Sequence, residues 1–310
     1  MAVVIAYQSL NSNSSSNHGV KASNSQQFTR DAHNHSAQSS ERWALQLPTS
    51  SSDAPNVGIH GPAELLRTAE SGFMDKGQHS DADFLSMVEG KALQIHQNAI
   101  RAFPKACDLL VFGELDSNNP EWSGLSKKAG ALLESSTPNK ACNCFSVHSP
   151  GSGAFTDKIA EGTGWIAVKC SNVIAVFVHV PNSIATNEAA TTLFYKNINN
   201  EVLGAGKGAI DIVMGDTNQP NDTFTQRVVS TALGASFSDA YPGKTIAPAD
   251  SYQKEFSGTN AKGTKKYDVA VYNTKSIKKI NVIYLSQFAS TGTSVAAVTD
   301  HMGIAVYLEK

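Results

Sequence analysis

The chain has 310 residues, of which 41% are hydrophobic, enough to bury a sizeable core in one large domain or two modest ones. Its formal net charge at pH 7 is −2, so contact with a polyanion would need a local patch of positive charge. No apolar run approaches the length of a membrane span, and residues 1–10 lack the basic and long apolar segments of a secretory signal. We therefore expect no transmembrane segment, no signal peptide and no membrane partner. The expected location is a cytoplasm, that of the producing cell or of a host cell into which the protein is delivered.

The four cysteines are too few for a disulfide framework in a chain of this length. Cys142 and Cys144 are spaced as Cys-x-Cys, but no second Cys or His pair with ligand spacing lies nearby, so the indication of zinc is weak. We expect free thiols in a reducing compartment.

The N-terminal part of the chain combines one apolar run with a long polar stretch. Residues 3–6 predict a buried strand, whereas residues 11–78 are rich in Ser, Asn, Gln and His and cannot bury much apolar surface. His33 and His35 could share a metal on a strand, or they could belong to a solvated polar loop. We interpret residues 11–78 as an insertion within one domain that spans residues 1–310.

From Ser80 onward, helical and strand patterns alternate. Ser80 is a candidate N-cap for a helix that ends at Pro104, and residues 107–112 predict a buried strand. The remaining predicted elements are a hairpin at 164–169 and 173–178, a helix at 188–197, a strand at 210–214, a helix at 223–233, a loop at 242–266, and strands at 267–272, 280–285, 295–298 and 304–308. This order predicts a mixed α/β architecture.

Polar side chains with catalytic potential stand at the ends of the predicted strands. They are Glu114, His179, Asp216, Asn218, Asp268, Asp300 and His301. Carboxylates suit Mg²⁺, Mn²⁺ or Ca²⁺, and imidazoles can exchange protons near neutral pH. A metal-assisted attack of water on a phosphate ester uses such a set.

Each of these residues also has an ordinary structural interpretation. Asp216 and Asn218 could form an Asx-rich turn after a strand, His179 could be a structural histidine, and Glu114 could be a polar loop residue. The alternatives stay open from residue types alone.

Five segments occur in an order that resembles a known superfamily. LLVFGELDS, VFVHVPN, VMGDTNQP, KYDVAVYN and VAAVTDHMGIAVYL are similar to the motifs of the endonuclease/exonuclease/phosphatase superfamily. The last third of the chain resembles its deoxyribonuclease I-like branch, and HVPN is similar to a motif of apurinic endonucleases of the exonuclease III type. The resemblance covers residues 1–10 and about 80–310.

The resemblance implies a four-layer α/β sandwich, in which two mixed β-sheets pack face to face between helices. It implies Glu114 as the main metal ligand, with Asp300 as a second carboxylate at the metal, and Mg²⁺ as the cofactor, with Mn²⁺ or Ca²⁺ as substitutes. Asp216 and Asn218 would orient the attacking water and the phosphate. His301 would be polarised by Asp268. His179 would contact the scissile phosphate or protonate the leaving oxygen.

Two positions depart from the superfamily pattern. Gln8 stands where an Asn near the metal is usual, so we take Gln8 as a candidate metal-site residue. The deoxyribonuclease branch has a Glu that partners the first His, and Glu161, the nearest candidate here, lies out of register.

The resemblance does not choose the substrate. Lys262, Lys265 and Lys266 place positive charge near the strand that bears Asp268, and with Asn182 they are the candidate substrate-binding residues. We expect a metal-dependent endonuclease that acts on nucleic acid, DNA foremost, with little sequence specificity. The alternatives are a phosphatase or phosphodiesterase on a small or lipid phosphate ester, and a non-catalytic nucleic-acid-binding module on the same scaffold.

Overall fold

The structure of the protein is a computed structural model. The described residues are 2–9, 103, 107–115, 133–134, 144–149, 156–219, 222–243, 246, 258–259, 265–285, 288–291, 294–297 and 301–310. The insertion at 11–78 and the helix predicted at 80–104 lie outside them, apart from Phe103, so the single-domain organisation stays a prediction.

The described residues form fourteen strands and three helices. The strands are β1 (Ala2–Ser9), β2 (Leu109–Leu115), β3 (Leu133–Glu134), β4 (Cys144–His148), β5 (Thr156–Gly162), β6 (Trp165–Cys170), β7 (Val173–His179), β8 (Ile212–Asp216), β9 (Phe237–Asp239), β10 (Asp268–Asn273), β11 (Lys279–Leu285), β12 (Phe288–Thr291), β13 (Ser294–Ala297) and β14 (Gly303–Glu309). The helices are α1 (Asn182–Ala185), α2 (Glu188–Gly204) and α3 (Asp222–Leu233).

Twelve of the described strands form two six-stranded sheets. The first sheet has the order β11-β14-β1-β2-β4-β3 and the second has the order β5-β6-β7-β8-β10-β9, while β12 and β13 form a separate hairpin. Within the described part of each large sheet there is one parallel pair, β1 with β2 in the first and β7 with β8 in the second; the other described pairs are antiparallel. Both sheets are therefore mixed.

The two sheets pack face to face over a shared apolar core. Alternate residues of β1, β2 and β14 from the first sheet meet residues of β6, β7 and β8 from the second. The ring of Tyr7 stacks on that of Phe177 with centroids 6.2 Å apart, which joins the central strands of the two sheets. Since side chains alternate along a strand, every second side chain of β7 and β8 points away from the first sheet. A further layer has to cover that face.

Helices α2 and α3 supply that further layer on the second sheet. Tyr195, Ile198 and Val228 pack with Val176 and Val213 of the sheet. Helix α2 begins after Asn187, whose side chain accepts a hydrogen bond from the backbone N–H of Ala190 at 3.0 Å, an N-cap contact. The predicted fold class, two packed mixed sheets with helices outside, is confirmed.

A buried carboxylate interrupts the apolar run that leads into β8. Asp211 Oδ2 accepts hydrogen bonds from the Ile174 N–H and from Lys310 Nζ, both at 2.8 Å. The aspartate therefore ties the start of β8 to β7 and to the residue that follows β14. Its charge is paired, which makes its burial tolerable.

The predicted helices and strands after residue 106 correspond to observed elements with shifted ends, while the predicted loop at 242–266 lies largely outside the described residues. Helix α2 continues to Gly204, seven residues past its predicted end, because Ile198 and Val202 add buried positions at helical spacing. Five strands were not predicted: β3, β4, β5, β9 and β12. They are short or carry mixed polar and apolar residues, so their sequences lack the apolar runs that mark the central strands. Among the described cysteines, none forms a disulfide.

Candidate active site

Strand direction brings the polar strand ends to one edge of the sandwich. Strands β7 and β8 are parallel, so their last residues, His179 and Asp216, are paired neighbours. Strand β10 runs antiparallel to β8 and starts at the same edge, which places Asp268 opposite Asp216. Three adjacent strands of the second sheet thus present a row of one imidazole and two carboxylates.

The first sheet supplies the facing residues at the same edge. Strands β1 and β2 are parallel and end near one another, with Ser9 paired to Gly113, the residue before Glu114. Strand β14 is antiparallel to β1 and begins there, two residues after His301. The two rows face each other across the gap between the sheets.

Two histidine–carboxylate contacts cross between the sheets. His301 Nδ1 lies 3.0 Å from Asp268 Oδ2, and His179 Nε2 lies 3.1 Å from Glu114 Oε1. An ionised carboxylate only accepts hydrogen bonds, so Nδ1 of His301 carries the proton in the first contact. Nε2 of His301 therefore accepts a proton when the ring is neutral.

Both imidazoles also face one carboxylate, that of Asp216. Its Oδ2 lies 3.6 Å from His301 Nε2 and 4.0 Å from His179 Nε2. Burial raises the pKa of the Asp216 carboxyl; His301 and His179 oppose that shift, and the Asp268 carboxylate adds to it. Asp216 is 1% exposed and stands between the two histidines.

Glu114 reaches the site through an irregularity in β2. The register between β2 and β4 shifts between Phe112 and Leu115, and Glu114 has φ 56°, in the left-handed region. A bulge of this kind re-aims a side chain at the edge of a sheet, and a non-Gly residue in this region costs about 1–3 kcal/mol. The backbone is thus strained at the residue that points into the site.

Asn218 has the second left-handed backbone at the site, with φ 50°. Its N–H donates to Asp216 Oδ1 at 2.9 Å, and its side-chain Nδ2 donates to the Val180 carbonyl at 3.0 Å. The Asx turn, which was one of the two interpretations of Asp216 and Asn218 from the sequence, is therefore present, and it holds the Asp216 carboxylate. Because one N–H of the Asn218 side-chain amide is bonded to Val180, the side chain is held in one orientation, and so is the second N–H of the same amide.

Gln8 and Ser9 hold the groups contributed by the first sheet. Gln8 Nε2 donates to the carbonyls of His301 at 2.9 Å and Ser9 at 2.8 Å, and its Oε1 is buried without a hydrogen-bond partner among the described residues. The Ser9 hydroxyl donates to Glu114 Oε2. Reasoning from the sequence did not identify Ser9, although its position beside Gln8 at a strand end was a signal.

The site has a donor set that fits a hard divalent cation. Ligand atoms of Glu114, His179 and Asp216 all lie within 4.8 Å of one another. Carboxylate oxygens suit Mg²⁺, Mn²⁺ or Ca²⁺, and a histidine nitrogen suits transition metals. The unpartnered Oε1 of Gln8 adds a neutral oxygen at the edge where these strands meet.

Glu161, the candidate partner of His179 considered from the sequence, has a different partner in the fold. Glu161 forms an ion pair with Lys158 at 2.9 Å on β5, whereas His179 contacts Glu114. Glu114 lies in the other sheet, so its sequence position could not reveal this pairing.

The other candidate residues lie around the site or outside the described residues. Asn182 is exposed at the start of α1, and Lys265 is exposed before β10. Lys266 is instead turned inward: its Nζ lies 2.9 Å from Asp239 Oδ2 and its side chain is 9% exposed. Asp300 and Lys262 lie outside the described residues.

No described helix has both the length and the apolar composition needed to cross a membrane.

Comparisons with known proteins find similarity in solved structures only. No protein-family model and no curated protein matches the sequence. An endonuclease/exonuclease/phosphatase family protein from Bacteroides thetaiotaomicron is 10% identical with a TM-score of 0.45, over 99% of this chain and 97% of that one. D. rerio TDP2 in a complex with a single-strand DNA product is 14% identical with a TM-score of 0.43, over 74% of this chain and 96% of that one. The human Nocturnin catalytic domain with a bound sulfate is 17% identical with a TM-score of 0.42, over 72% of this chain and 86% of that one.

These similarities are low, so the chemistry of the site has to follow from the chain's own residues. The superfamily that the sequence motifs resemble, endonuclease/exonuclease/phosphatase, is represented among the solved structures similar to this chain.

Proposed function

We propose that the protein is a divalent-metal-dependent phosphodiesterase that cleaves nucleic acid, DNA foremost, with little sequence specificity. One observation carries the proposal: the Nε2 atoms of two histidines face the same buried carboxylate of Asp216, while Asp268 supports one ring and Glu114 contacts the other. Two imidazoles that can act as base and acid are thus held beside the same carboxylate, and the hydrolysis of a phosphate ester uses such a pair of proton-transfer groups.

A bound divalent cation would supply neutralisation of the charge on the phosphoryl oxygens. Glu114 and Asp216 would hold it, with Gln8 Oε1 as a further oxygen, and His179 beside them is kept for proton transfer. Asp300, which precedes His301, remains a proposed ligand.

The proton transfers are assigned to the two histidines. His301, with its Nδ1 proton bonded to Asp268, accepts a proton from the attacking water at Nε2 as the water oxygen bonds to phosphorus. His179 donates a proton to the leaving oxygen as the phosphorus–oxygen bond breaks. Asn218 and Asp216 orient the phosphate and the water. Each histidine is expected to contribute about 10²–10⁴-fold to the rate.

A nucleic-acid substrate is supported by charge beside the site. Lys265 is exposed next to the strand that carries Asp268, and Lys262 lies on the same segment of sequence. Lys266 is held by Asp239, so we do not assign it to phosphate binding. Cleavage of a polyanion should then fall steeply with added salt, whereas hydrolysis of a small ester should change little.

The test is nicking of supercoiled plasmid, and cleavage of single-stranded DNA and RNA, with Mg²⁺, Mn²⁺, Ca²⁺ or EDTA. His301→Asn should lose about 10²–10⁴-fold in rate. The matched control is His148→Asn: His148 is also a buried histidine, 3.1 Å from the Ser146 hydroxyl, at the opposite end of the β2–β4 pair from Glu114. The control should keep its activity.

Three results would contradict the proposal. Cleavage that persists in EDTA would show that no divalent metal is needed, and full activity of His301→Asn would show that His301 is not the base. The third result is a folded protein that cleaves no nucleic acid, yet releases phosphate from a small or lipid ester. In that case the same site acts on phosphate esters of that class.

A further inference from the structure

Thr259 makes hydrogen bonds to both sides of the His301–Asp268 pair. Its hydroxyl accepts from the backbone N–H groups of Tyr267 and Asp268, each at 3.0 Å, and its carbonyl accepts from the N–H of Met302 at 2.8 Å. One buried residue therefore bonds to the pair's aspartate and to the residue that follows its histidine.

This bridge matters because the two members of the pair belong to different sheets. Asp268 starts β10 of the second sheet and His301 precedes β14 of the first, and these two sheets share no ladder of backbone hydrogen bonds among the described residues. Sheet pairing fixes each residue within its own sheet only. The 3.0 Å separation of His301 Nδ1 and Asp268 Oδ2 thus depends on contacts that cross the gap.

Gly258 and Thr259 both lie close to the backbone of Lys265. The N–H of Thr259 donates to the Lys265 carbonyl at 2.8 Å. A Cβ on Gly258 would lie 2.1 Å from the backbone nitrogen of Lys265, so only glycine fits there. Exposed Lys265, a candidate phosphate contact, is held by the same residue that bonds to Asp268.

We propose that Thr259 is a positioning residue that sets the distance and orientation of the His301–Asp268 pair, and through it the rate of the proposed hydrolysis. The inference rests on the proposed function for its kinetic consequence. The geometric part concerns the pair itself and can be measured without catalysis.

Valine matches the shape of threonine but has no hydroxyl, so Thr259→Val leaves the N–H groups of Tyr267 and Asp268 without their acceptor. Thr259→Ser keeps the hydroxyl. The matched control is Thr191→Val: Thr191 is equally buried, and its hydroxyl donates to the carbonyls of Ile184 at 2.7 Å and Asn187 at 2.9 Å, within the helical layer.

The experiment measures three quantities in each variant: the urea midpoint, kcat and KM on plasmid or single-stranded DNA, and the proton NMR signal of the His301 Nδ1–H. We expect Thr259→Val to lower kcat by about 10- to 100-fold with KM within about twofold, because a small displacement of reacting groups costs rate more than binding. Its Nδ1–H signal should shift or vanish, and Thr259→Ser should restore both. Thr191→Val should lower the urea midpoint while kcat and the signal stay as in the wild type.

Three results would overturn the proposal. They are an unchanged kcat and an unchanged Nδ1–H signal in Thr259→Val, a loss in Thr191→Val equal to that in Thr259→Val, and a Thr259→Val protein that does not fold, which would show that Thr259 holds the whole fold. If the wild-type protein cleaves no substrate, the proposed function fails, and the NMR comparison alone decides whether Thr259 positions the pair.

Discussion

Gly215 is the position where one added methyl group should disturb the site most. It precedes Asp216 in β8, has φ 141°, and pairs with Val178 of β7. A Cβ there would lie 2.1 Å from the Val178 carbonyl oxygen, against a practical lower limit of 3.0 Å. The Cβ is fixed to the backbone of β8 and the carbonyl oxygen belongs to the backbone of β7, so no side-chain rotation can relieve the contact. Gly215→Ala must therefore move the two strands apart by about 1 Å.

The expected loss of stability combines two effects. A non-Gly residue forced into this backbone region costs about 1–3 kcal/mol, and overpacking costs about 1–3 kcal/mol more. The sum, about 2–6 kcal/mol, is a large share of the 5–15 kcal/mol by which a typical protein is stable. The adjacent pair in the register is His179 and Asp216, so activity should fall as well.

Urea unfolding followed by circular dichroism measures this loss. The control is Gly204→Ala at the end of α2, where a Cβ meets no atom within 4 Å. The control should change the free energy of unfolding by no more than about 1 kcal/mol. Because alanine is favoured over glycine in a helix, we expect this change to be an increase. A Gly215→Ala protein as stable as the wild type would refute the assignment of a close backbone contact.

Three further predictions concern individual side chains. Asp268→Asn keeps the shape but removes the charge beside His301, so kcat should fall about 10²–10⁴-fold, or about 2.7–5.4 kcal/mol of barrier, and a loss of less than tenfold would contradict the pairing. Ser9→Ala frees the Glu114 carboxylate and should weaken Mn²⁺ binding, measured by calorimetry, by about 10-fold or more; equal affinity would exclude an orienting role. Burial raises the pKa of the Cys107 thiol, which makes the thiol unreactive. In a variant with Cys107 as its only cysteine, the native protein should therefore not react with a disulfide reagent at pH 8, whereas the unfolded protein should react rapidly. Fast reaction of the native protein would show that the thiol is accessible.

The central strands could be predicted from the sequence because both of their faces are covered. Strands β7 and β8 bury every residue, so their sequences are nearly continuous apolar runs that end at polar groups. Strands β5 and β9 were missed because their residues include Asp, Lys, Glu and Ser, whose pairing is decided by the neighbouring strand rather than by local preference.

Lys266 illustrates why a cluster of charges is a weak guide to a binding surface. The sequence shows it beside Lys265 and before Asp268, as part of one positive segment. In the fold, Lys265 is exposed, while Lys266 contacts Asp239 and lies 5.5 Å from the centroid of the Tyr241 ring. Adjacent residues of equal charge therefore have different environments, which tertiary contacts decide.

The residue types along the chain are enough to predict which chemical groups stand at the strand ends, since an apolar run followed by Asp, His or Glu marks a buried strand and its edge. Which of these groups meet depends on the packing of the sheets. The pairing of His179 with Glu114 and of His301 with Asp268 crosses between two sheets, and Gln8 bonds to the carbonyl of a residue 293 positions away. Hydrogen bonds act over about 3 Å, so such contacts follow from the packing of the two sheets and leave no local pattern along the chain.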